Sequence, residues 1–277
     1  MSESNQNNNT VNITEEDVSD VLDQMGLNVH QIMSDDATKQ EKVINPVKIQ
    51  ENRNERFKSA QWFEDIRHTS ISIFGLGGIG SWTALLVSRF NPSVMTLMDG
   101  DIYDFSNLSG QFCKLEDVSV SKVEATQNNI ARFSGYYKAN TFTENVTRET
   151  NLVMFQDIVI TGFDNMEARK IVFEKWMSSP SKVLIDGRLA AEKLQIYCIC
   201  KDDEYHINEY KNNALFDDRE ATPEICSYKQ TSHMASMIAS FICNLITNYI
   251  EVSKVEFIRE LPYFIEYNAI TMQLTKN

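Results

Sequence analysis

Six residues constrain this chain more than any others. Gly75-Leu76-Gly77-Gly78-Ile79-Gly80 sets four glycines between a short β-type run, Ile71-Ser72-Ile73-Phe74, and a helical stretch over residues 81–90. Glycines at this spacing permit a tight strand-to-helix turn and let backbone N–H groups approach a phosphate at the helix N-terminus. Taken alone, the motif also fits a tight turn with no ligand. Its surroundings favour a nucleotide site: residues 94–98 read as the next strand, and Asp99 ends it 19 residues after Gly80, where an acid can hold ribose hydroxyls.

Downstream the pattern alternates. Residues 121–132 read as helix, 137–142 as strand, 157–162 as a buried strand, 165–178 as helix and 183–186 as another buried strand. Strands separated by helices predict an α/β fold, a Rossmann-like and mostly parallel sheet covered by helices on both faces. Residues 194–201 and 204–210 read as an antiparallel pair, which gives the sheet antiparallel strands at its C-terminal edge. Met234, Ile238, Phe241, Ile242, Leu245 and Ile246 then step at helical spacing opposite Ser236, Ser240 and Asn244, predicting a long amphipathic core helix.

The N-terminal part differs in composition. Every aromatic residue lies from Phe57 onward, and residues 1–45 hold nine acids against two lysines. Two regions follow: an acidic extension over residues 1–45, partly disordered with one short helix after Thr14, and a folded domain over residues 46–277. Residues 47–68 read as a helical approach segment with Trp62, Phe63 and Ile66 on its apolar side. A net charge of -13 argues against non-specific binding to nucleic acid or to an anionic membrane. No apolar run reaches the length of a membrane span, and the N-terminus does not read as a signal peptide. Five cysteines without a secretion signal predict reduced thiols and a cytoplasmic protein.

Three further segments decide the chemistry. Asp99-Gly100-Asp101-Ile102-Tyr103-Asp104-Phe105-Ser106-Asn107-Leu108-Ser109-Gly110-Gln111 follows the second strand. Lys122 opens a helix, and Thr161-Gly162-Phe163-Asp164-Asn165 precedes a helix containing Arg169. With the glycine loop, these resemble the ThiF/MoeB family, the adenylating domain shared with ubiquitin-activating enzymes, in order across roughly residues 53–250. The resemblance implies Mg·ATP-dependent adenylation of the C-terminal carboxylate of a small ubiquitin-like protein ending in glycine, in a homodimer. It implies that Gly75, Gly77, Gly78, Gly80, Asp99 and Asp101 hold the nucleotide. Asn107, Gln111 and Lys122 would line the phosphates, and Asp164 would carry Mg²⁺. The chemistry agrees: a lysine offsets phosphate charge and a carboxylate is a hard ligand for Mg²⁺.

The chain departs from the family pattern in three places. Gly110 stands where relatives usually carry an Arg before the Gln, and its loss costs on the order of a few kcal/mol of transition-state stabilisation if nothing replaces it. The family also uses an Arg reaching across the dimer; Arg53 and Arg56 stand in about the right place, and Arg56 is the favoured one. Relatives often hold zinc with two Cys-x-x-Cys pairs, which this chain lacks. Cys198 and Cys200 are separated by one residue, a spacing that reads as opposite faces of a strand, so no structural zinc is predicted. Cys226, in a probable loop before the long helix, matches the reactive Cys of sulfur-transferring and thioester-forming relatives, and could equally be a bystander thiol. A nucleotide-binding pseudoenzyme or scaffold is the alternative reading. A Rossmann dehydrogenase leaves Lys122 and Asp164 without work.

Overall fold

The computed structural model describes residues 53–216, 231–252 and 259–277. The acidic extension over residues 1–45 and Cys226 lie outside the described residues. The centre of the fold is the run Ser70–Phe74 (β1), whose residues from Ile71 onward are buried, as a strand covered on both faces requires. Fully burying each of its branched side chains contributes about 1.5–3 kcal/mol.

β1 pairs in parallel with Val94–Met98 (β2) on one side and Ile158–Thr161 (β4) on the other. Ala139–Phe142 (β3) lies beyond β2, and Val183–Ala190 (β5) beyond β4, both parallel. From β5 the direction alternates through Lys193–Cys200 (β6), Phe264–Asn268 (β7) and Gln273–Lys276 (β8). The order β3-β2-β1-β4-β5-β6-β7-β8 makes one mixed sheet, parallel for five strands and antiparallel at its C-terminal edge. This is the predicted fold class.

Among the described residues the helices are Phe63–Ile66 (α1), Gly78–Phe90 (α2), Lys122–Ser134 (α3), Met166–Ser178 (α4), Glu204–Glu209 (α5) and Ser232–Glu251 (α6). They divide between two cores on the two faces of the sheet. One joins α2, α3 and α6 through Ile79, Val123, Ile238 and Ile242. The other joins α4 and the α5 region through Val172, Phe173, Trp176 and Tyr210. No described helix is long and apolar enough to cross a membrane.

Three expectations need correction. Residues 204–210 are not a strand: Asp203 accepts a hydrogen bond from the His206 N–H, caps α5, and turns the chain away from the sheet. The antiparallel partners of β6 are instead β7 and the whole of β5, from Val183 to Ala190. The described part of the approach segment is mostly turn, helical over Phe63–Ile66; there Phe57, Trp62, Phe63 and Phe90 pack ring against ring. Cys198 and Cys200 share a face, because residues two apart on a strand point the same way, and both pack into the α2–α6 core.

Candidate functional site

β1 is the strand at which the connection reverses, with β2 on one side and β4 on the other. The crevice beyond its carboxyl end is where open α/β sheets place ligands. Gly75 leaves β1 with φ +84°, a conformation that favours glycine. Its N–H donates to Met98 O at 2.9 Å, tying the turn to the end of β2. A Cβ on Gly80 would sit 1.8 Å from Gly75 O, so a side chain there cannot fit. A Cβ on Gly77, by contrast, would meet nothing within 4 Å, leaving open space above the turn. Gly78, Ile79 and Gly80 form the first turn of α2, and Gly77 offers no side-chain cap. The orphan amide donors of that turn are left for an anion.

Asp99 anchors the β2 side. Its Oδ2 accepts from the Leu76 N–H at 2.6 Å and its Oδ1 from the Asp101 N–H at 2.8 Å. Burial raises its pKa, against the pull of those two amides. Lys122 opens α3; its backbone N–H donates to Asp101 O at 3.0 Å and its Nζ to Asp101 Oδ2 at 2.8 Å. The Lys122 side chain is 10% exposed and the Asp101 side chain 65%, so a nearly buried cation has an accessible partner.

The segment between Asp101 and Lys122 closes on itself through a bridge from Ile102 to Ser121. Within it, Asn107 Oδ1 accepts from the Asp104 N–H at 3.1 Å as part of a capping box. Trp82 Nε1 donates to Gly110 O at 3.1 Å, and the Phe112 N–H donates to Ser81 Oγ at 2.8 Å. Both contacts come from the first turns of α2, so Gln111 lies against the helix that starts at the glycine turn. Gln111 Oε1 is buried without a hydrogen-bond partner.

On the other side, the Gly162 N–H donates to Phe74 O at 3.0 Å. A Cβ on Gly162 would lie 3.1 Å from Ile79 Cβ, and one on Gly75 would lie 3.0 Å from the Phe163 ring. This packing sets the turn carrying Asp164 against the glycine turn. Asp164 is exposed and makes no hydrogen bond or ion pair among the described residues. Asn165 Oδ1 caps α4 by accepting from the Ala168 N–H at 2.8 Å.

The sequence reading missed a buried network just behind this turn. Asp186 is fully buried at the end of the parallel part of β5. Its Oδ1 accepts from Thr161 Oγ1 at 2.7 Å and from Arg169, and its Oδ2 from Arg188 Nε at 2.8 Å and Tyr210 OH at 2.9 Å. Burial alone would raise the Asp186 carboxyl; the charges of Arg169 and Arg188 outweigh it and hold the carboxyl below the ordinary value of 3.8. The available signal was an acid in the middle of Val183-Leu184-Ile185-Asp186-Gly187-Arg188.

Of the two candidate arginines, Arg53 is committed to its own chain. It donates to Gly135 O at 2.9 Å and to Ser88 O at 2.6 Å. Arg56 is exposed. Among the described residues no three His, Cys, Asp or Glu side chains gather to hold a metal ion. A lone carboxylate such as Asp164, beside a phosphate cradle, suits Mg²⁺ carried with a nucleotide, because Mg²⁺ is commonly held by one or two carboxylates plus substrate phosphates.

Similar solved structures include PaaA, with 16% identity and a TM-score of 0.63, covering 95% of this chain and 81% of that one. E. coli MccB with ATP has 14% identity and a TM-score of 0.61, covering 96% and 79%. At these identities the likeness is one of fold. Similar curated proteins include ubiquitin-like modifier-activating enzyme 5 of Drosophila virilis, 26% identical over 132 residues, which are 43% of this chain and 33% of the relative. The adenylyltransferase and sulfurtransferase MOCS3 of Dictyostelium discoideum is 29% identical over 134 residues, 47% of this chain and 31% of the relative. The matches thus span about a third of those relatives' length. Residues 50–277 match the model of the ThiF family, and the chain belongs to that family.

Proposed function

We propose that this chain adenylates the C-terminal carboxylate of a small ubiquitin-like protein ending in glycine. One observation carries the reading. The glycine turn, Asp99, Lys122 and an exposed Asp164 converge at the carboxyl ends of β1, β2 and β4. Family membership and the similarity to adenylating relatives support it.

In this reading the amides of the α2 first turn and Lys122 Nζ hold the ATP phosphates, and Asp99 accepts from the ribose hydroxyls. Asn107 keeps an amide donor for a phosphate or the incoming carboxylate, because its capping bond uses the carbonyl oxygen. Gln111 lies beside it. These groups align a carboxylate oxygen of the substrate with the α-phosphorus. The new O–P bond forms as the bond to the bridging oxygen breaks, and pyrophosphate leaves with that electron pair. Asp164 and Asn107 thereby fix geometry, and Lys122 offsets developing charge. Asp164 and the phosphates would hold Mg²⁺, which would supply further charge neutralisation. Arg56, exposed and without a hydrogen bond or ion pair among the described residues, would reach a second copy's site, which makes a homodimer part of the proposal. In a separate step of the same proposal, the Cys226 thiolate attacks the carbonyl carbon of the acyl-adenylate, the thioester forms, and AMP leaves with the electron pair of the broken acyl–oxygen bond.

The pseudoenzyme reading has its own support in Gly110, which is buried with its carbonyl held by Trp82 and brings no cation to the phosphates. Calorimetry with Mg·ATP tests the binding half. Asp164→Ala is expected to weaken Mg·ATP at least tenfold without unfolding the domain, and unchanged affinity removes Asp164 from the site. Pyrophosphate exchange that appears with a small Gly-ending protein supports the enzyme. Its absence with every such partner, ATP still binding, favours the pseudoenzyme.

A further inference from the structure

Asp164 makes no hydrogen bond or ion pair among the described residues to fix its direction, yet a metal ligand must be held within a few tenths of an ångström to be useful. Its turn is fixed from behind. Arg169, on the first turns of α4, is 6% exposed. One of its terminal nitrogens donates to Asp186 Oδ1 and, at 3.1 Å, to Gly187 O. The other donates to the carbonyl of Phe163, the residue immediately before Asp164. The same Asp186 oxygen accepts from Thr161 Oγ1 at 2.7 Å, three residues before Asp164. A planar guanidinium with fixed donor directions can hold both ends of this link together; an ammonium, a point donor, cannot.

We propose that Arg169 is a positioning residue: it clamps the Phe163 carbonyl to the buried Asp186 and so sets where the Asp164 carboxylate meets the nucleotide-bound metal. The inference rests on the reading of Asp164 as the Mg²⁺ ligand. It assigns a role to a side chain that touches neither nucleotide nor metal. The clamp resembles the outer-shell partners that orient metal ligands, whose loss costs about 10- to 100-fold in metal affinity.

The test compares binding of a non-hydrolysable ATP analogue, by calorimetry, in Mn²⁺ and in EDTA. Arg169→Lys keeps a cation against Asp186 but gives up the simultaneous hold on Phe163 O. It is expected to lose about tenfold or more of the metal-dependent gain in affinity, with affinity in EDTA and the urea midpoint near those of the wild type. Added to Asp164→Ala it should cause no further loss of that gain, since the two act as one unit. If Arg169→Lys does not fold, Arg169→Gln is put through the same comparison, with the same expected loss. Equal losses with and without metal, or an intact metal gain, overturn the positioning role while leaving Asp164 in place. A wild-type affinity indifferent to metal defeats the reading of Asp164 itself, and the clamp with it.

Discussion

On the β2 side of the crevice, Asp99 accepts two backbone amides, one from the glycine turn and one from the segment after β2. On the β4 side, Asp164 accepts none among the described residues, and its turn is held from behind by Arg169 and Asp186. The first carboxylate is therefore fixed by short-range hydrogen bonds at the glycine turn itself. The second is left open to a ligand and depends on a buried ion network centred on the adjacent strand, β5. An acid already satisfied by amides can define a pocket. An acid that must take up a metal needs its oxygens unspent, so its order has to come from neighbours.

The difference predicts that the β4 side breaks more severely than the β2 side. Replacing Asp186 by Ala leaves two arginines without their shared counter-charge in the interior. Removing one partner of a buried pair costs roughly 3–5 kcal/mol. Urea unfolding of Asp186→Ala should show a loss in that range, and a loss below about 1 kcal/mol would mean that Arg169 and Arg188 find other acceptors. The pH dependence sharpens the contrast. Asp186 is held below 3.8 in the fold, so its contribution is present above 3.8 and is lost as pH falls through the folded value. Asp99 is raised above 3.8, so its contribution is greatest below 3.8 and declines as pH rises through the folded value. Acid unfolding below about pH 4 should accordingly be shallower in Asp186→Asn than in the wild type.

The same contrast explains what the sequence could show. The glycine turn, Asp99 and Lys122 sit at fixed offsets from element ends, and their partners are within a few residues or one strand away. Asp164 shares that property, because it follows a buried strand and precedes a capped helix. The Arg169–Asp186 link spans 17 residues and two elements, so neither spacing nor periodicity couples them. Residues 204–210 failed for a related reason: Tyr205, Ile207 and Tyr210 suit a strand, and the single capping bond from Asp203 decides for a helix. Arg53 shows a third limit. Sequence position set it beside Arg56 as an equal candidate, and only its contacts with Ser88 and Gly135 assign it to its own fold.

A smaller loss is expected on the β2 side. Asp99→Ala deprives the part-buried Leu76 amide and the exposed Asp101 amide of their acceptor, at a cost of roughly 1.5–3 kcal/mol, the net worth of a hydrogen bond to a charged group. Thermal unfolding with and without ATP checks this. A variant as stable as the wild type would show that water replaces the carboxylate at the glycine turn.

The smallest effect concerns Asp101, counted among the nucleotide-binding residues on family resemblance. The structure gives its carboxylate to Lys122 Nζ, at 2.8 Å, while the exposed half of the pair is the acid. A phosphate approaching Lys122 must share the ammonium with that carboxylate and also meets its negative charge. Asp101→Asn keeps an oxygen acceptor for Nζ, and both backbone bonds of residue 101 remain in place, so the geometry should survive. Pairs this exposed are worth about 0.5–1 kcal/mol. Relief of that competition corresponds to about a two- to fivefold gain in ATP affinity, with little change in stability. Calorimetric titration of Asp101→Asn with ATP decides the sign. A gain makes Asp101 a keeper of Lys122 in the empty site, and a loss makes it a ligand of the nucleotide, as Asp99 is proposed to be.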